Sequence, residues 1–105
     1  MLNDRKSIAE DEATMLKLDP AKFSSELNDS AIGRAKAEDY KAAFDLFAKA
    51  LSYNPDNGNV YQNRGTMRWR LKDMNGACED WNKAVELGSK PAMKYVRKYC
   101  EKNRL

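Results

Sequence analysis

The chain has 105 residues, of which 33% are charged and 42% hydrophobic, which suits one small domain with a single modest core. Its formal net charge is only +3, with acids and bases interspersed, so no general attraction to nucleic acid or to an anionic membrane is expected. The first residues contain acids and no long apolar run, which predicts neither a secretory signal nor membrane insertion. We expect a cytoplasmic protein, or an exported one if the chain is a fragment of a longer precursor.

The first half of the chain predicts three helices and no strand. Residues 7–18 form the first candidate helix. Asp19 and Pro20 then supply an N-cap and a first-turn proline for the second. The third begins at Tyr40, has apolar residues at helical spacing, and ends before Pro55 because the residue preceding a proline is disfavoured in the helical region.

The second half predicts three more helices, at about residues 59–72, 76–87 and 91–103. Gly88 is a suitable C-cap, and Ser89 can cap the last helix. In that last helix we expect Met93, Val96 and Cys100 to face inward.

Two stretches of the chain follow the same order of small, aromatic and charged residues at a distance of 34 positions. "GACEDWNKAVELG" follows "AAFDLFAKALSYN", so that Trp81 corresponds to Phe47 and Ala84 to Ala50. Paired helices with this period resemble the tetratricopeptide repeat family. The signature residues are Leu27, Ala31, Ala43, Phe47, Ala50 and Pro55 in one repeat, and Tyr61, Gly65, Ala77, Trp81 and Ala84 in the next.

The resemblance implies an all-α fold, a tetratricopeptide-repeat solenoid of antiparallel helix pairs. A single domain over 1–105 would comprise an N-terminal half-repeat helix (7–18), two full repeats (24–57 and 58–91) and a C-terminal capping helix (92–105). Arg34 and Arg68 stand where the family usually has Tyr, and Ser89 replaces the second terminal proline. We expect Trp81 to be a core residue, and Gly65 and Ala77 to allow a close approach of their helices.

The residue types give no support for catalysis. The chain has no His, and we find no CxxC motif, phosphate-binding loop or nucleophile elbow. We therefore predict no enzymatic activity, no metal and no cofactor.

Cys78 and Cys100 lie at equal distances on either side of Ser89, so an antiparallel hairpin would bring them to the same height. Two alternatives stay open, namely a disulfide and a pair of buried reduced thiols.

A binding function follows from the resemblance, because the first helices of such repeats line a concave groove. Trp69 would be partly exposed next to Lys36 and Arg70, which suits an extended acidic or aromatic peptide. The alternative is that Trp69 covers a neighbouring helix or the cap. Carried over residue by residue, the contact positions are Ser25, Asn28, Ile32, Ala35, Lys36, Asn59, Gln62, Thr66, Trp69 and Arg70. Asn63 is a further contact residue, because it matches a clamp position of the same family.

The resemblance to members that clamp the acidic tails of chaperones is incomplete. Asn63 matches a clamp position and Arg97 matches the last one, whereas Asn28, Ile32 and Met93 stand in place of Lys, Asn and Lys. We expect a protein or peptide partner and no small-molecule substrate. A self-associating scaffold, stacked through the N-terminal half-repeat, is the alternative. Nucleic-acid binding is a weaker alternative, because the basic side chains near Trp69 are spread around their helix.

Overall fold

The computed structural model describes residues 19–101. The helix predicted at 7–18 and the end of the capping helix therefore lie outside the described residues. Within the described range every regular element is helical, which confirms the all-α prediction. The elements are α1 (Pro20–Lys36), α2 (Tyr40–Tyr53), α3 (Gly58–Arg70), α4 (Met74–Glu86) and α5 (Lys90–Tyr95), with a π-helical turn over Val96–Cys100 directly after α5.

The helices form two hairpins, followed by the segment Lys90–Cys100, which we call the cap. α1 packs mainly against α2, and α3 mainly against α4. Smaller contacts of α3 with α1 and α2 join the hairpins, and α5 packs on α4. This succession of antiparallel pairs is the helical-repeat architecture expected from the sequence. The repeat boundaries at 24–57 and 58–91 stay predictions.

The first helices of both hairpins end in the same way, with one residue in the left-handed region. These residues are Glu38 (φ 62°) and Lys72 (φ 65°), which lie 34 positions apart. The following amide closes the helix end in each case: Asp39 N–H donates to Arg34 O, and Asp73 N–H donates to Arg68 O, both at 2.9 Å. This arrangement is a Schellman motif, which satisfies carbonyl groups that the helix leaves without partners.

The same aspartates begin the next helices. The Asp39 carboxylate accepts from Ala42 N–H at 3.3 Å, and the Asp73 carboxylate accepts from Gly76 N–H at 3.0 Å. Because Asp73 is both the end of one helix and the N-cap of the next, α4 begins at Met74. The predicted helices at 59–72 and 76–87 leave a turn at 73–75, which is therefore wrong by about two residues.

Small residues and two aromatic rings fill the core. Phe47 and Trp81 are each 1% exposed, which confirms the core role expected of Trp81. A Cβ atom added at Gly65 would lie 2.7 Å from Trp81 Cδ1 and 3.1 Å from Ala77 O. The absence of a side chain at Gly65 therefore lets α3 approach α4 and the indole, as predicted.

The cap covers the open face of Trp81 with two tyrosines. The ring centroids of Trp81 and Tyr95 are 5.0 Å apart, and those of Trp81 and Tyr99 are 5.7 Å apart. Ala92 and Val96 are buried on the same side, but Met93 is 40% exposed. The prediction that Met93 faces inward is wrong, because one residue along a helix turns the side chain by about 100° and Ala92 already occupies the inward position.

The structure joins Cys78 of α4 to Cys100 by a disulfide, with the Cα atoms 5.8 Å apart. Cys100 is the last residue of the π-helical turn, so the bond ties this turn to the second hairpin. Both side chains are half-buried.

Candidate functional site

A groove opens between α1 and α3, and we call it the first groove. Its volume is about 150 Å³. Of the predicted contact residues, Ile32, Ala35, Lys36, Asn63, Thr66 and Arg70 line it. Tyr40, Phe47 and Met67 complete the lining.

The lining of the first groove includes a buried apolar floor and two exposed cations. Phe47 and Met67 are 1% and 3% exposed, whereas Lys36 and Arg70 are exposed. Small-ligand and peptide sites combine apolar walls with a few polar groups that set orientation. This groove offers that combination at the surface formed by the first helices of the two hairpins.

Asn28 holds the hairpins together from beneath this surface. It is 6% exposed, and its Oδ1 accepts from Asn63 Nδ2 at 3.2 Å. A second buried link lies nearby, where Asn57 Nδ2 donates to Ser24 Oγ at 3.0 Å and Ser24 Oγ donates to Ala50 O at 2.7 Å. The structure thus brings Asn28 and Asn63 together, but it leaves the Asn28 amide little access to a partner.

The predicted contact residues Asn59, Gln62 and Thr66 also lie on α3. Gln62 Oε1 accepts from Ser89 Oγ at 2.9 Å, which connects α3 to the start of the cap. Thr66 Oγ1 donates to Gln62 O at 3.1 Å. Asn59 is exposed near the start of α3. Gln62 and Thr66 therefore have partners within the described chain, and Asn59 lies outside the first groove.

Trp69 lies beside a second depression, which we call the second groove. The residues Trp69, Arg70, Lys72 and Met74 line it, and its volume is about 520 Å³. Trp69 is 36% exposed, and its ring centroid is 5.3 Å from that of Tyr99. The indole thus contacts the cap and is also partly exposed, and its role in binding stays a prediction. Lys36 lines only the first groove, and Arg70 lines both.

Two arginines of the basic stretch around Trp69 are engaged inside the second hairpin. Arg64 makes a two-point contact with Asp80, with both N···O distances 2.9 Å. Arg68 lies 3.3 Å from the same carboxylate. The hydrogen bond with Asp80 raises the pKa of the Arg64 guanidinium above its ordinary value, although burial opposes this. These arginines therefore stabilise the hairpin and contribute little free positive charge.

Sequence reasoning missed this ion pair. Asp80 is 4% exposed, directly before the buried Trp81, and a carboxylate in such a position requires a partner. Its place beside a core aromatic was a usable signal that one of the arginines of α3 pairs with it.

Two negative observations apply to residues 19–101. In this range no group of three potential metal ligands lies close together. None of the helices described there has both the length and the apolar character that crossing a membrane requires.

Several curated proteins are similar to this chain. Human DnaJ homolog subfamily C member 7 is 34% identical over 67 residues, which are 60% of this chain and 14% of the relative. A tetratricopeptide repeat protein 36 homolog from Nematostella vectensis is 35% identical over 69 residues, or 66% of this chain and 38% of the relative. Human serine/threonine-protein phosphatase 5 is 32% identical over 77 residues, or 73% of this chain and 15% of the relative.

The alignments thus span well under half the length of each of these relatives. No family profile matches the chain, and no solved structure is significantly similar to it. The helical hairpins and the named relatives together confirm the resemblance to tetratricopeptide repeat proteins. The relatives support the general class of protein interaction modules for this chain. The catalytic activity of the phosphatase does not transfer to this chain through a match to 15% of that enzyme.

Proposed function

We propose that this chain is a non-enzymatic interaction module that binds a peptide or protein segment in the first groove. The observation that supports this most directly is that two exposed cations, Lys36 of α1 and Arg70 of α3, line the same groove as the buried floor residues Phe47 and Met67. The floor can bury an apolar side chain, and the cations can bind a carboxylate or a backbone carbonyl of the same segment. Similarity to repeat proteins supports the general class.

The proposed contact surface is narrower than the set carried over from the family. It consists of Ile32, Lys36, Asn63, Thr66 and Arg70. Asn28 and Gln62 are left out because neither residue lines the first groove. This surface lies on helices rather than loops, so its geometry is held rigidly before a partner arrives, which lowers the entropic cost of binding.

The test is to select peptides from a random display library and to map one selected peptide by perturbation of amide chemical shifts. We expect the largest shifts at Ile32, Lys36, Thr66 and Arg70. The Lys36→Ala, Arg70→Ala double variant should lose most of the affinity, with Lys83→Ala as a matched control on the outer face of α4. Shifts that cluster on α2 and α4, with no effect of the double variant, would contradict the proposal.

Self-association is the competing function, and the mass of the protein in solution distinguishes it from peptide binding. A mass that rises with concentration and falls on Lys36→Ala, Arg70→Ala substitution would mean that a second copy occupies the groove. A mass that stays monomeric while peptides bind supports the receptor function.

A further inference from the structure

The outer face of the cap carries only positive charge. Its exposed charged residues are Lys90, Lys94, Arg97 and Lys98. The inner face consists of the residues that pack in the core of the second hairpin, namely Ala92, Tyr95, Val96, Tyr99 and Cys100. Between Gly88 and Glu101 the chain contains no Asp or Glu. The cations therefore lie together on the side of the cap that points away from the core.

The cations of this face are not used elsewhere in the fold. None of the four forms an ion pair with another residue of the range 19–101. The ammonium group of Lys98 lies 5.2 Å from the centre of the Tyr99 ring. Glu86, the last acid before the cap, lies 3.5 Å from Lys83, and Glu101, the first acid after it, is exposed. The charge of this face thus stays available to an anionic partner.

The corresponding residues of α3 are used inside the protein. Thirty-four positions before Lys94 and Lys98 stand Val60 and Arg64. Val60 is 0% exposed, and Arg64 pairs with Asp80 of α4. The cap has exposed lysines at the same two places. Because burial of an unpaired charge is costly, this face does not suit an apolar helix, such as one from a second copy, and suits an anionic surface in contact with water.

The apolar side chains of the cap distinguish a lipid surface from nucleic acid. Met93 is 40% exposed, next to Lys94 in the chain. The rings of Tyr95 and Tyr99 are packed against Trp81, whereas proteins that bind single strands present aromatic rings to the bases. An exposed methionine gains free energy by leaving water for the interface of a bilayer. A phosphodiester backbone offers it no such contact, so the lipid surface is the better fit.

We propose that the outer face of the cap docks on an anionic lipid surface. Met93 enters the headgroup region, and the four cations contact lipid phosphates and carboxylates. Each Lys or Arg held near such a surface strengthens binding about fivefold, so that four together contribute several hundred-fold. This surface is separate from the first groove, and the inference goes beyond the proposed function.

The test is sedimentation of the full, oxidised chain with phospholipid vesicles. The vesicles contain phosphatidylcholine alone, or phosphatidylcholine with about one-third phosphatidylserine. We expect binding to the anionic vesicles only, with a partition coefficient that falls as salt is added. No binding to the anionic vesicles at low salt, or equal binding to both kinds, would overturn the inference.

Two charge variants locate the docking surface. The double variant Lys90→Gln, Lys94→Gln should lower the partition coefficient about 25-fold, because it removes two cations of the outer face. The matched control Lys22→Gln, Lys41→Gln removes the same charge from exposed residues of α1 and α2, and should change the coefficient less than about twofold. Equal losses in the two variants would mean attraction by net charge alone and would reject the cap as the surface. Unchanged helical circular dichroism shows that both variants are folded.

A variant at Met93 distinguishes lipid from other anions. Met93→Ser should weaken binding to the anionic vesicles about threefold, because less apolar area leaves water. Tighter binding of a DNA duplex than of vesicles with the same number of anionic groups would replace the lipid surface by nucleic acid. Peptides selected for the first groove should bind Lys90→Gln, Lys94→Gln as tightly as the original chain, so the docking surface and the proposed function fail independently.

Discussion

Two glycines in the first helices of the hairpins show how differently one residue type is used. A Cβ at Gly65 would lie 2.7 Å from Trp81 Cδ1, whereas a Cβ at Gly33 would meet nothing within 4 Å. Gly65 permits the approach of α3 to the indole. Gly33 is exposed on α1, where a missing side chain only weakens the helix.

Alanine at these two glycines should therefore change stability in opposite directions. Gly65→Ala should lower the free energy of unfolding by about 2 kcal/mol, because the methyl group overpacks the core. Gly33→Ala should raise it by about 0.5–1 kcal/mol through helix propensity. Urea unfolding followed by circular dichroism measures both. Equal effects of the two substitutions would show that the close approach at Gly65 is not important to stability.

The left-handed residues predict a second pair of opposite effects. Glu38 has φ 62° and Gly88 has φ 93°, and this region disfavours residues with a Cβ. Glu38→Gly should raise the free energy of unfolding by roughly 0.5–1 kcal/mol, and Gly88→Ala should lower it by about 1 kcal/mol. The midpoint of thermal unfolding is the readout. A lower midpoint for Glu38→Gly would rule out the backbone explanation.

At the scale of elements, the two hairpins share a plan but differ in one internal contact. Asp80 on α4 pairs with Arg64 and Arg68 on α3. The corresponding positions of the first hairpin, 34 residues earlier, hold Leu46 for Asp80 and Ser30 for Arg64. Leu46 packs against the core of the first hairpin, whereas Asp80 at the corresponding place forms a buried ion pair that engages two arginines of α3.

Removing one partner of this ion pair should be more harmful than removing both. Asp80→Leu alone should lower the free energy of unfolding by about 3 kcal/mol, because the half-buried Arg64 is left without its carboxylate. The double variant Arg64→Ser, Asp80→Leu copies the first hairpin and should recover much of that loss. A double-mutant cycle in urea measures the coupling. Additive effects of the two substitutions would contradict a direct interaction.

At the scale of the whole molecule, the disulfide ties the cap to the second hairpin. Within residues 19–101 the last elements are a short α5 and one π-helical turn, and the Cys78–Cys100 bond attaches that turn to α4. The cap covers Trp81 through Tyr95 and supports Trp69 through Tyr99. Anchoring the cap therefore stabilises the core and the second groove together.

Reduction of the disulfide should accordingly lower the stability of the fold. It should also disturb the second groove more than the first groove. The bond spans 22 residues, and a loop of that size corresponds to about 3 kcal/mol of stabilisation in the chain-entropy description. We expect this loss in urea unfolding with a thiol reductant, and a matching loss for Cys78→Ser, Cys100→Ser without it. Trp69 emission should shift to the red as Tyr99 moves away. A double serine variant that does not respond to reductant is the control, and equal stability of all forms would contradict a role for the bond.

The repeat and its core were predictable because they depend on spacing within the chain. The 34-residue correspondence of Trp81 with Phe47 marks the aromatic core positions, and Gly65 opposite Ala77 marks the close approach. Helix ends were predicted less well, since Asp73 serves two helices at once. Of the contact residues, Lys36 and Arg70 lie at the first groove, whereas Asn28 is buried beneath it.

The sequence by itself determined the all-helical repeat, because helical periodicity and small residues at fixed spacing are local properties of the chain. Only the tertiary structure decided which arginines of α3 are engaged in an ion pair, which face of the cap turns inward, and that Arg70 lines both the first groove and the second groove. These features depend on contacts such as that of Arg64 with Asp80, or Trp69 with Tyr99. The partners are far apart in the chain, and no local pattern specifies how their helices are placed.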